Sequence, residues 1–314
     1  MNKILMSYDM KQMKPCVATI GFFDGVHLGH QFLIKSIKEE AVKRGMESTV
    51  VTFGKHPRVV LQKDYQPCMI SRYEEKLVLL SQTGVDNCVV LPFDIEMASL
   101  SAYDFMEKIL RDCLNVKVLI MGYDNHFGHS DGKEGFDDYL RYGKQIGIEV
   151  VSAEALELHG VKISSSVIRS FIAAGEVEMA ASCLGRPYSI FGHVVKGFGE
   201  GHKLGFPTAN IDPVSVEKMI PVRGVYAVKV CIEGTEETKQ AMMNIGVRPT
   251  FDGDNVSLEV HIFDFDDDIY DRNVAVYFIH RLRSEHKFKN TGDLVIQLKE
   301  DERLIKEQFE KDLE

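Results

Sequence analysis

The sequence lacks any long apolar run and has no excess of positive charge. No stretch approaches the roughly 20 consecutive apolar residues that span a bilayer, and residues 1–13 lack the apolar core of a secretory signal. Lys and Arg number 37 against 47 Asp and Glu, so the formal net charge is −10. A general binder of nucleic acid or of a membrane surface needs a basic face, so both classes are disfavoured. A local pocket for one small anion is compatible with this charge.

The six cysteines are scattered and form no Cys-x-x-Cys pair. Most lie among apolar neighbours, which is typical of buried free thiols in a reducing compartment. Together with the missing signal segment, this predicts a cytoplasmic protein. At 314 residues the chain is long enough for about two domains, and its composition, 45% apolar and 27% charged, is that of a globular protein.

Strand-like and helix-like patterns alternate in the first half of the chain. Short apolar runs predict buried strands, and in the first predicted helix Leu33, Ile37 and Ala41 recur every four residues. The predicted strands are residues 16–22, 48–53, 87–91, 116–121 and 148–152, and the predicted helices are residues 32–44, 72–81, 102–110 and 136–146. Such alternation predicts an α/β fold with a doubly wound parallel sheet covered on both faces. Ligands of these sheets bind beyond the carboxyl ends of the strands.

After residue 187 the pattern changes to strands separated by glycine, proline and aspartate turns. This pattern predicts an antiparallel barrel or sandwich. The predicted strands are residues 189–196, 224–232, 240–245, 256–263 and 274–282, and a last apolar stripe predicts a helix over residues 292–313. The change of pattern places the domain boundary near Pro187, which gives domains of residues 1–186 and 187–314.

The most informative stretch of the first domain is GFFDGVHLGH, at residues 21–30. It follows the first predicted strand and opens the first predicted helix, where free N–H groups and the helix dipole favour a phosphate. Its glycines allow a sharp turn and a close approach to a ligand. His27 and His30 are three residues apart and can face one site. The alternatives are two histidines in a surface turn or a zinc site, but no third and fourth zinc ligand stands at suitable spacing.

This stretch resembles the His-x-Gly-His signature of the nucleotidylyltransferase superfamily. Its FDGVH variant resembles the adenylyltransferase half of bacterial bifunctional riboflavin kinase/FAD synthetases. Three further stretches are similar to motifs of that family: TFGKHP at residues 52–57, GYDNHFG at residues 122–128 and ISSSVIR at residues 163–169. The second of these departs from the family at Asn125 and His126. In the third, hydroxyls precede a predicted helix and can cap it or contact a phosphate, and Arg169 can meet a triphosphate.

The resemblance implies an FMN adenylyltransferase that uses ATP and releases pyrophosphate. Its nucleophile is a phosphate oxygen, already anionic at pH 7, so no strong base is required. Catalysis would rest on positioning and on charge stabilisation by His27, His30, Arg169 and Mg²⁺. The residues assigned to ATP are Gly21, Phe22, Asp24, Gly25, His27, His30, Ser164, Ser165, Ser166 and Arg169. Those assigned to the flavin are His56, Pro57, Arg58, Asn125 and Phe127.

The second domain contains another glycine-rich stretch, GFGEGHKLGFPTAN, at residues 197–210. It matches neither Gly-x-Gly-x-x-Gly nor a Walker A loop, and by itself it is typical of a barrel corner. Its end resembles the Gly-x-Pro-Thr-Ala-Asn signature of riboflavin kinases, which have a six-stranded antiparallel barrel, and NIGVRPTF at residues 244–251 also matches that family. The resemblance implies that Thr208 and Asn210 hold Mg²⁺ and the ATP phosphates. The same loop supplies Gly201, Lys203, Gly205 and Pro207, with His202 where the family often has arginine.

The kinase reaction needs a base, because its nucleophile is the neutral 5′-hydroxyl of riboflavin. Glu259 shares one face of a predicted strand with Ser257, His261 and Phe263, while the opposite face is aliphatic. Glu259 corresponds to the glutamate that this family uses as its base. The alternative is an ordinary carboxylate on a solvent-facing strand.

The sequence therefore predicts a two-domain enzyme that converts riboflavin to FMN and FMN to FAD. It would use ATP twice, with Mg²⁺ as cofactor and with riboflavin, FMN and FAD as its other ligands. Two rival hypotheses are a flavin or nucleotide sensor without turnover and a His-x-Gly-His enzyme that adenylylates another phosphate ester. The presence of His27, His30 and Glu259 disfavours the first rival, and the second domain disfavours the other.

Overall fold

The computed structural model describes residues 1–5, 13–55, 68–123, 127, 134–158, 160–197, 199–250 and 253–311. Their contacts divide the chain into two compact units, Met1–Ser165 and Ser166–Glu314. Each unit has a sheet of its own. No helix in the described part of the chain is long and apolar enough to cross a membrane.

The first unit is built on a six-stranded parallel sheet. Its strands are β1 (Asn2–Leu5), β2 (Cys16–Ile20), β3 (Glu47–Phe53), β4 (Asn87–Leu91), β5 (Val116–Met121) and β6 (Glu149–Ser152). Their order is β1-β4-β3-β2-β5-β6, and every neighbouring pair is parallel. The strand order changes direction between β2 and β5, which makes the carboxyl end of β2 the position where such sheets bind ligands. Five of the six strands match predicted ones; β1 was not predicted.

The helices of the first unit lie between its strands. They are α1 (Leu28–Arg44), α2 (Tyr73–Gln82), α3 (Ile95–Ser99), α4 (Ala102–Asp104, continuing with π-type hydrogen bonding over Phe105–Cys113) and α5 (Phe136–Ile146). A two-stranded hairpin follows, β7 (Glu157–Leu158) and β8 (Val161–Lys162). Helix α1 begins four residues before its predicted start, because the His27 side chain caps it by accepting a hydrogen bond from the His30 N–H.

Both faces of the parallel sheet are buried. Alternate strand residues point to opposite faces, so Val17, Val50 and Val118 join α1 and α2 in one apolar cluster. Ala18, Val51 and their neighbours join α4 and α5 in another cluster. The prediction of a doubly wound sheet covered on both sides is confirmed.

The second unit contains a closed antiparallel barrel. Its strands are β9 (Tyr188–Val195), β10 (Ala209–Ile211), β11 (Gly224–Ile232), β12 (Thr238–Thr250), β13 (Gly253–Ile262) and β14 (Asn273–Arg283). Their order around the barrel is β10-β13-β12-β11-β14-β9, and β10 pairs with β9 to close it. The barrel rather than a sandwich is therefore the observed form, with the six strands implied by the family resemblance.

Two helices precede the barrel in sequence, α6 (Ser165–Ala174) and α7 (Val177–Leu184). Glu178 on α7 accepts a hydrogen bond from the backbone N–H of Arg281 at 3.1 Å, and the Arg281 guanidinium donates to the carbonyl of Ala174 at 3.3 Å. These contacts hold residues 166–186 to strand β14, in the second unit. The boundary at residue 186 stays a prediction drawn from the change in sequence pattern.

The chain ends in helix α9 (Thr291–Lys311), which covers one outer side of the barrel; a short helix α8 (Glu200–Lys203) precedes β10. Ile305 and Phe309 of α9 form an apolar cluster with Phe206, Met242 and Phe263 from the barrel. The predicted terminal helix over residues 292–313 is therefore present and is part of the fold of the second unit.

Candidate functional site

The loop after β2 has a strained backbone. Phe23, Gly25 and Val26 all have positive φ angles, of 57°, 79° and 39°. Glycine tolerates this region, but phenylalanine and valine adopt it at a cost and only where surrounding contacts enforce it. Strain of this kind concentrates at functional sites. The loop therefore has a fixed shape at the ligand-binding edge of the sheet.

Asp24 is one cause of that fixed shape. Its buried carboxylate accepts hydrogen bonds from the backbone N–H groups of Ile70 and Ser71, at 3.0 to 3.1 Å. The Ser71 hydroxyl in turn accepts from the N–H of Gly25 at 2.9 Å. These contacts give the Asp24 carboxylate a role in holding the loop. Its assignment to ATP stays a prediction.

The two histidines of the motif lie together at the start of α1. Their rings are stacked with centroids 3.6 Å apart, and the Nδ1 atom of His27 accepts the His30 backbone N–H at 3.2 Å. Since Nδ1 of His27 is an acceptor, its proton is carried by Nε2. Phe23 packs edge-on against His30 at 4.9 Å. The geometry brings together the pair that the sequence predicted.

The environment of His30 keeps its imidazole neutral. Burial lowers the pKa of His30 well below its ordinary value of 6.5, and the proximity of His27 and of the Lys76 ammonium acts in the same direction. Its Nδ1 atom is enclosed and has no hydrogen-bond partner among the described residues. Burial of this kind disfavours the charged form of an imidazole. At pH 7 His30 therefore offers a neutral imidazole to a ligand.

The hydroxyl-rich segment before α6 touches the histidine loop. Ser165 donates its hydroxyl to the carbonyl of Asp24 at 3.1 Å. A side chain at Gly29 would meet the carbonyl of Ile163 at 3.3 Å, so this glycine permits the close approach of the two segments. Ser164 is half-buried beside them. Ser166 and Arg169 follow on α6 in the second unit, and their assignment to ATP stays a prediction.

The residues predicted to bind the flavin are mostly outside the described part of the chain. His56, Pro57, Arg58 and Asn125 lie there, so their assignments stay predictions. Phe127 is described, and both its N–H and its carbonyl are hydrogen-bonded to the phenol oxygen of Tyr139, at 3.3 and 3.1 Å. Tyr139 is buried. It holds Phe127 in place, a role that sequence reasoning did not identify.

Lys76 on α2 is a buried charge that sequence reasoning also missed. Only 2% of this residue is exposed. Its ammonium donates to the carbonyls of Phe22 and Phe53 at 3.1 and 3.0 Å, which follow β2 and end β3, and to the Thr52 hydroxyl at 3.3 Å. Its spacing from Leu80 could have revealed its burial. Lys76 stands four residues before Leu80, and residues four apart share one face of a helix, here the buried one.

Two cavities flank one threonine in the barrel unit. The first, of about 290 Å³, is lined by Thr208, by Tyr270 and by Asp266, Asp267 and Asp268. The second, also of about 290 Å³, lies between the barrel and α9 and includes Thr208, Glu259 and Leu298. Cavities of this size are near the lower end of the range for small-molecule sites. Because Thr208 lines both, ligands in the two cavities would meet at its side chain.

Glu259 occupies the centre of a cross-strand row. Asn210 on β10 and Asn244 on β12 stand directly opposite it on either side, and residues opposite one another in a sheet share a face. Leu258 and Val260 are buried on the other face. The predicted aliphatic face is buried at Leu258, Val260 and Ile262, whereas Val256 is exposed. The role of Glu259 as a base stays a prediction. Phe263 follows the strand end and packs in the apolar cluster under α9.

Glycines let the loop at residues 197–207 lie close to this row. A side chain at Gly197 would clash with the Asn210 amide at 2.1 Å, and one at Gly201 would clash with the Phe206 carbonyl at 2.3 Å. Gly205 has a φ of 83°. His261 donates from Nδ1 to the Pro207 carbonyl at 2.7 Å. Lys203, like His202, is exposed.

Several residues that line the cavity under α9 were not predicted. They are Asn244, Arg283, Glu285, His286 and Phe288. The Arg283 guanidinium donates to both carboxylate oxygens of the fully buried Asp301, at 2.6 to 3.1 Å. It also reaches the Ser284 carbonyl and His286. This pair therefore joins α9 to the loop that borders the cavity.

Comparisons with known proteins match both halves of the chain to known families. A family model described as FAD synthetase matches residues 9–167, and one described as riboflavin kinase matches residues 184–309. A bifunctional riboflavin kinase/FMN adenylyltransferase from Escherichia coli K12 is 38% identical over 297 residues, 94% of this chain and 93% of that protein. This chain belongs to the bifunctional riboflavin kinase/FMN adenylyltransferase family. The resemblance inferred from its motifs is confirmed.

Other members of the family cover the chain to a similar extent. The Pseudomonas fluorescens enzyme is 40% identical over 274 residues, 87% of this chain and 86% of that protein. The Bacillus subtilis enzyme is 36% identical, covering 91% and 90%. A crystal structure from Streptococcus pneumoniae, described as a macrolide-efflux protein, has a TM-score of 0.86 at 34% identity and covers 98% of this chain and 99% of that chain.

Proposed function

We propose that the chain phosphorylates riboflavin to FMN in its barrel unit and adenylylates FMN to FAD in its first unit. The observation that carries the proposal is that one chain holds two separate sets of reactive groups. One is the stacked pair of His27 and His30 at the start of α1. The other is the row of Asn210, Glu259 and Asn244 beside Thr208.

In the kinase reaction, ATP would occupy the cavity beside Tyr270 and riboflavin the cavity under α9, so that the two substrates meet at Thr208. Glu259 would accept the proton of the riboflavin 5′-hydroxyl. The bond from this oxygen to the γ-phosphorus forms as the bond from the γ-phosphorus to the bridging oxygen breaks, and ADP leaves. The Asn210–Glu259 register supports this assignment, since it sets the carboxylate next to the phosphate-binding threonine loop.

Mg²⁺ fits the oxygen donors of Thr208 and Asn210. Both carry a side-chain oxygen, the ligand type that this hard cation prefers. The missing side chain at Gly197 leaves room for the Asn210 amide, which a Cβ atom would displace. When bound, Mg²⁺ supplies positive charge that neutralises the phosphates. Thr208 and Asn210 would hold it, and the loop residues Gly201, Lys203, Gly205 and Pro207 would shape the phosphate site.

In the adenylyl transfer, a phosphate oxygen of FMN would attack the α-phosphorus of ATP. The bond from the α-phosphorus to the α,β-bridging oxygen breaks, and pyrophosphate leaves with that oxygen and the electron pair. The nucleophile is already an anion, so His30 need not act as a base. A neutral His30 and the helix N-terminus would donate hydrogen bonds to the phosphates, and Arg169 would add a positive charge.

Product analysis tests the proposal directly. The full-length protein would be incubated with riboflavin, ATP and MgCl₂, and flavins would be separated by chromatography. We expect FMN to appear first and FAD to follow with release of pyrophosphate. Binding of flavin without any product would favour the sensor hypothesis. Adenylylation of other phosphate esters in preference to FMN would favour the rival transferase. None of the six cysteines, all of which lie in the described part of the chain, forms a disulfide bond in the structure, which fits the reducing cytoplasm proposed for this enzyme.

A further inference from the structure

Lys76 joins the histidine loop after β2 to the end of the neighbouring strand β3. Phe22, whose carbonyl accepts from its ammonium, belongs to the histidine loop after β2. Thr52 and Phe53, which supply the other two acceptors, end β3 and begin the TFGKHP stretch. Because all three contacts come from a single ammonium group, removing it would break every one of these links between the loop and the end of β3 at once. Neither family motif includes this residue.

The charge of Lys76 is compensated by neutral groups. None of its three hydrogen-bond acceptors in the described part of the chain is a carboxylate, and its ammonium lies 4.1 Å from the centre of the Phe22 ring, a cation–π contact. A buried ammonium without a directly bonded carboxylate is costly. Proteins keep such groups where the charge has a use, so Lys76 is a candidate for a functional role.

Several titratable groups face this ammonium from different elements. They are Asp24 in the turn after β2, Cys88 on β4, His30 on α1 and Tyr73 on α2 itself. Burial lowers the pKa of Lys76 to about 8, while Asp24 and Cys88 act in the opposite direction. Burial raises the pKa of the Cys88 thiol to about 11, so that group is neutral near pH 7. Lys76 is therefore still mostly protonated at pH 7.

The positive charge of Lys76 disfavours a positive charge on His30, in the same direction as burial. Lys76 is one of the causes that lower the pKa of His30. Near pH 7 the site thus holds its positive charge on the lysine, behind the histidine loop, and keeps the imidazole neutral. A polyphosphate at the loop would be attracted by this buried cation, whose position is fixed by three hydrogen bonds.

We propose that Lys76 is a positioning residue for adenylyl transfer. Its ammonium holds the histidine loop after β2 against the end of strand β3 and keeps a fixed positive charge near His30, which favours a bound polyphosphate. It acts through these two segments and touches no reacting atom. This inference rests on the proposed adenylyltransferase activity of the first unit.

The first test compares Lys76→Met with Lys38→Met. Lys38 on α1 is a matched control, because it also donates to a backbone carbonyl, that of Thr83 at 2.7 Å, away from the loops after β2 and β3. We expect Lys76→Met to lower kcat for FAD formation from FMN at least tenfold, with riboflavin phosphorylation by the same protein unchanged. Lys38→Met should retain both activities.

A second readout separates a charge effect from loss of packing. The pKa of His30 would be measured by NMR in both variants. Loss of a neighbouring unit charge that lowers this pKa should raise it by about one unit in Lys76→Met, and Lys38→Met should leave it unchanged. FAD formation within twofold of the parent, or a folded Lys76→Met with an unchanged His30 pKa, would overturn the proposal. A parent protein that makes no FAD would instead refute the proposed function.

The pH profile of the unaltered protein tests the proposal if Lys76→Met does not fold. FAD formation should fall as pH rises through about 8, where Lys76 loses its proton. Riboflavin phosphorylation in the same samples should show no such midpoint. Unfolding would not explain the loss, because a lysine whose pKa is lower in the folded than in the unfolded state adds stability as pH rises from about 8 to 10.5. A flat rate of FAD formation to about pH 9.5, or a parallel fall of both activities, would contradict the proposal.

Discussion

At the scale of single residues, burial and a nearby charge together set the protonation state of the His30 imidazole. Its pKa lies well below 6.5 because its ring is enclosed and because His27 and Lys76 face it. The imidazole is therefore neutral over the range in which an exposed histidine would titrate. A bound triphosphate is negatively charged, so it would raise the pKa of His30 and oppose the effect of Lys76 on that pKa.

His30→Ala should lower FAD formation from supplied FMN at least tenfold. In the proposed mechanism the substitution removes a hydrogen-bond donor to the developing charge, and the loss of such an interaction commonly lowers enzyme rates roughly 10²–10³-fold. Phosphorylation of riboflavin by the same sample serves as the folding control and should continue. A near-normal rate of FAD synthesis would show that His30 is not required for the transfer.

Glu259→Gln should remove most riboflavin kinase activity while FAD formation from supplied FMN persists. The amide keeps the shape of the side chain but cannot accept the hydroxyl proton at pH 7. Glu236→Gln, an exposed glutamate in the turn before β12, is the control for a lost carboxylate on the same unit. Initial rates of FMN formation give the comparison. A fully active Glu259→Gln would place the base elsewhere.

At the scale of elements, the sequence predicted most strands and helices but missed those without a pattern of their own. Strand β10 was not predicted because it has only three residues and overlaps the end of the PTAN motif. Strand β1 is four residues long and pairs with β4 at the sheet edge. The predicted start of α1, at residue 32, is four residues too late, because histidine is an unusual residue at a helix N-cap. Lys76 was missed because it occupies a buried position that helical spacing usually assigns to an apolar residue.

Asp301→Asn should destabilise the barrel unit by about 3 kcal/mol. Asp301 is fully buried on α9 and binds Arg283 of β14, so its loss leaves an uncompensated guanidinium. Denaturant unfolding of the full chain, followed by a probe in the barrel unit, measures the change. Glu300→Gln, which breaks only an exposed pair with Arg303, should change stability little. Equal effects of the two variants would argue against the buried pair as the link between α9 and β14.

At the scale of the whole molecule, the two units hold two separate sets of reactive groups, and the contacts of α6 and α7 decide what a kinase fragment must contain. Ile168, Ile172, Val177 and Leu184 are all buried on these helices. Removing residues 166–186 would expose apolar surface around β14. The sequence pattern alone could not show this, because helices at residues 165–184 look like a continuation of the α/β half.

A fragment of residues 166–314 should fold and phosphorylate riboflavin without making FAD. A fragment of residues 187–314 retains Thr208, Asn210 and Glu259 but should unfold at a lower temperature, because it lacks the helices held by Glu178. Circular dichroism and FMN formation compare the two. Equal melting temperatures would show that α6 and α7 add nothing to the barrel, and a folded but inactive 166–314 fragment would show that the kinase needs the first unit.

The central claim is that two independent sites in one chain perform successive reactions, and mixing two inactivated proteins tests it most directly. His30→Ala and Glu259→Gln would be supplied with riboflavin, ATP and MgCl₂, separately and as an equimolar mixture. We predict that His30→Ala alone accumulates FMN, that Glu259→Gln alone makes neither FMN nor FAD, and that the mixture makes FAD. A mixture that yields no FAD, although each variant retains its remaining activity on supplied substrate, would contradict the account.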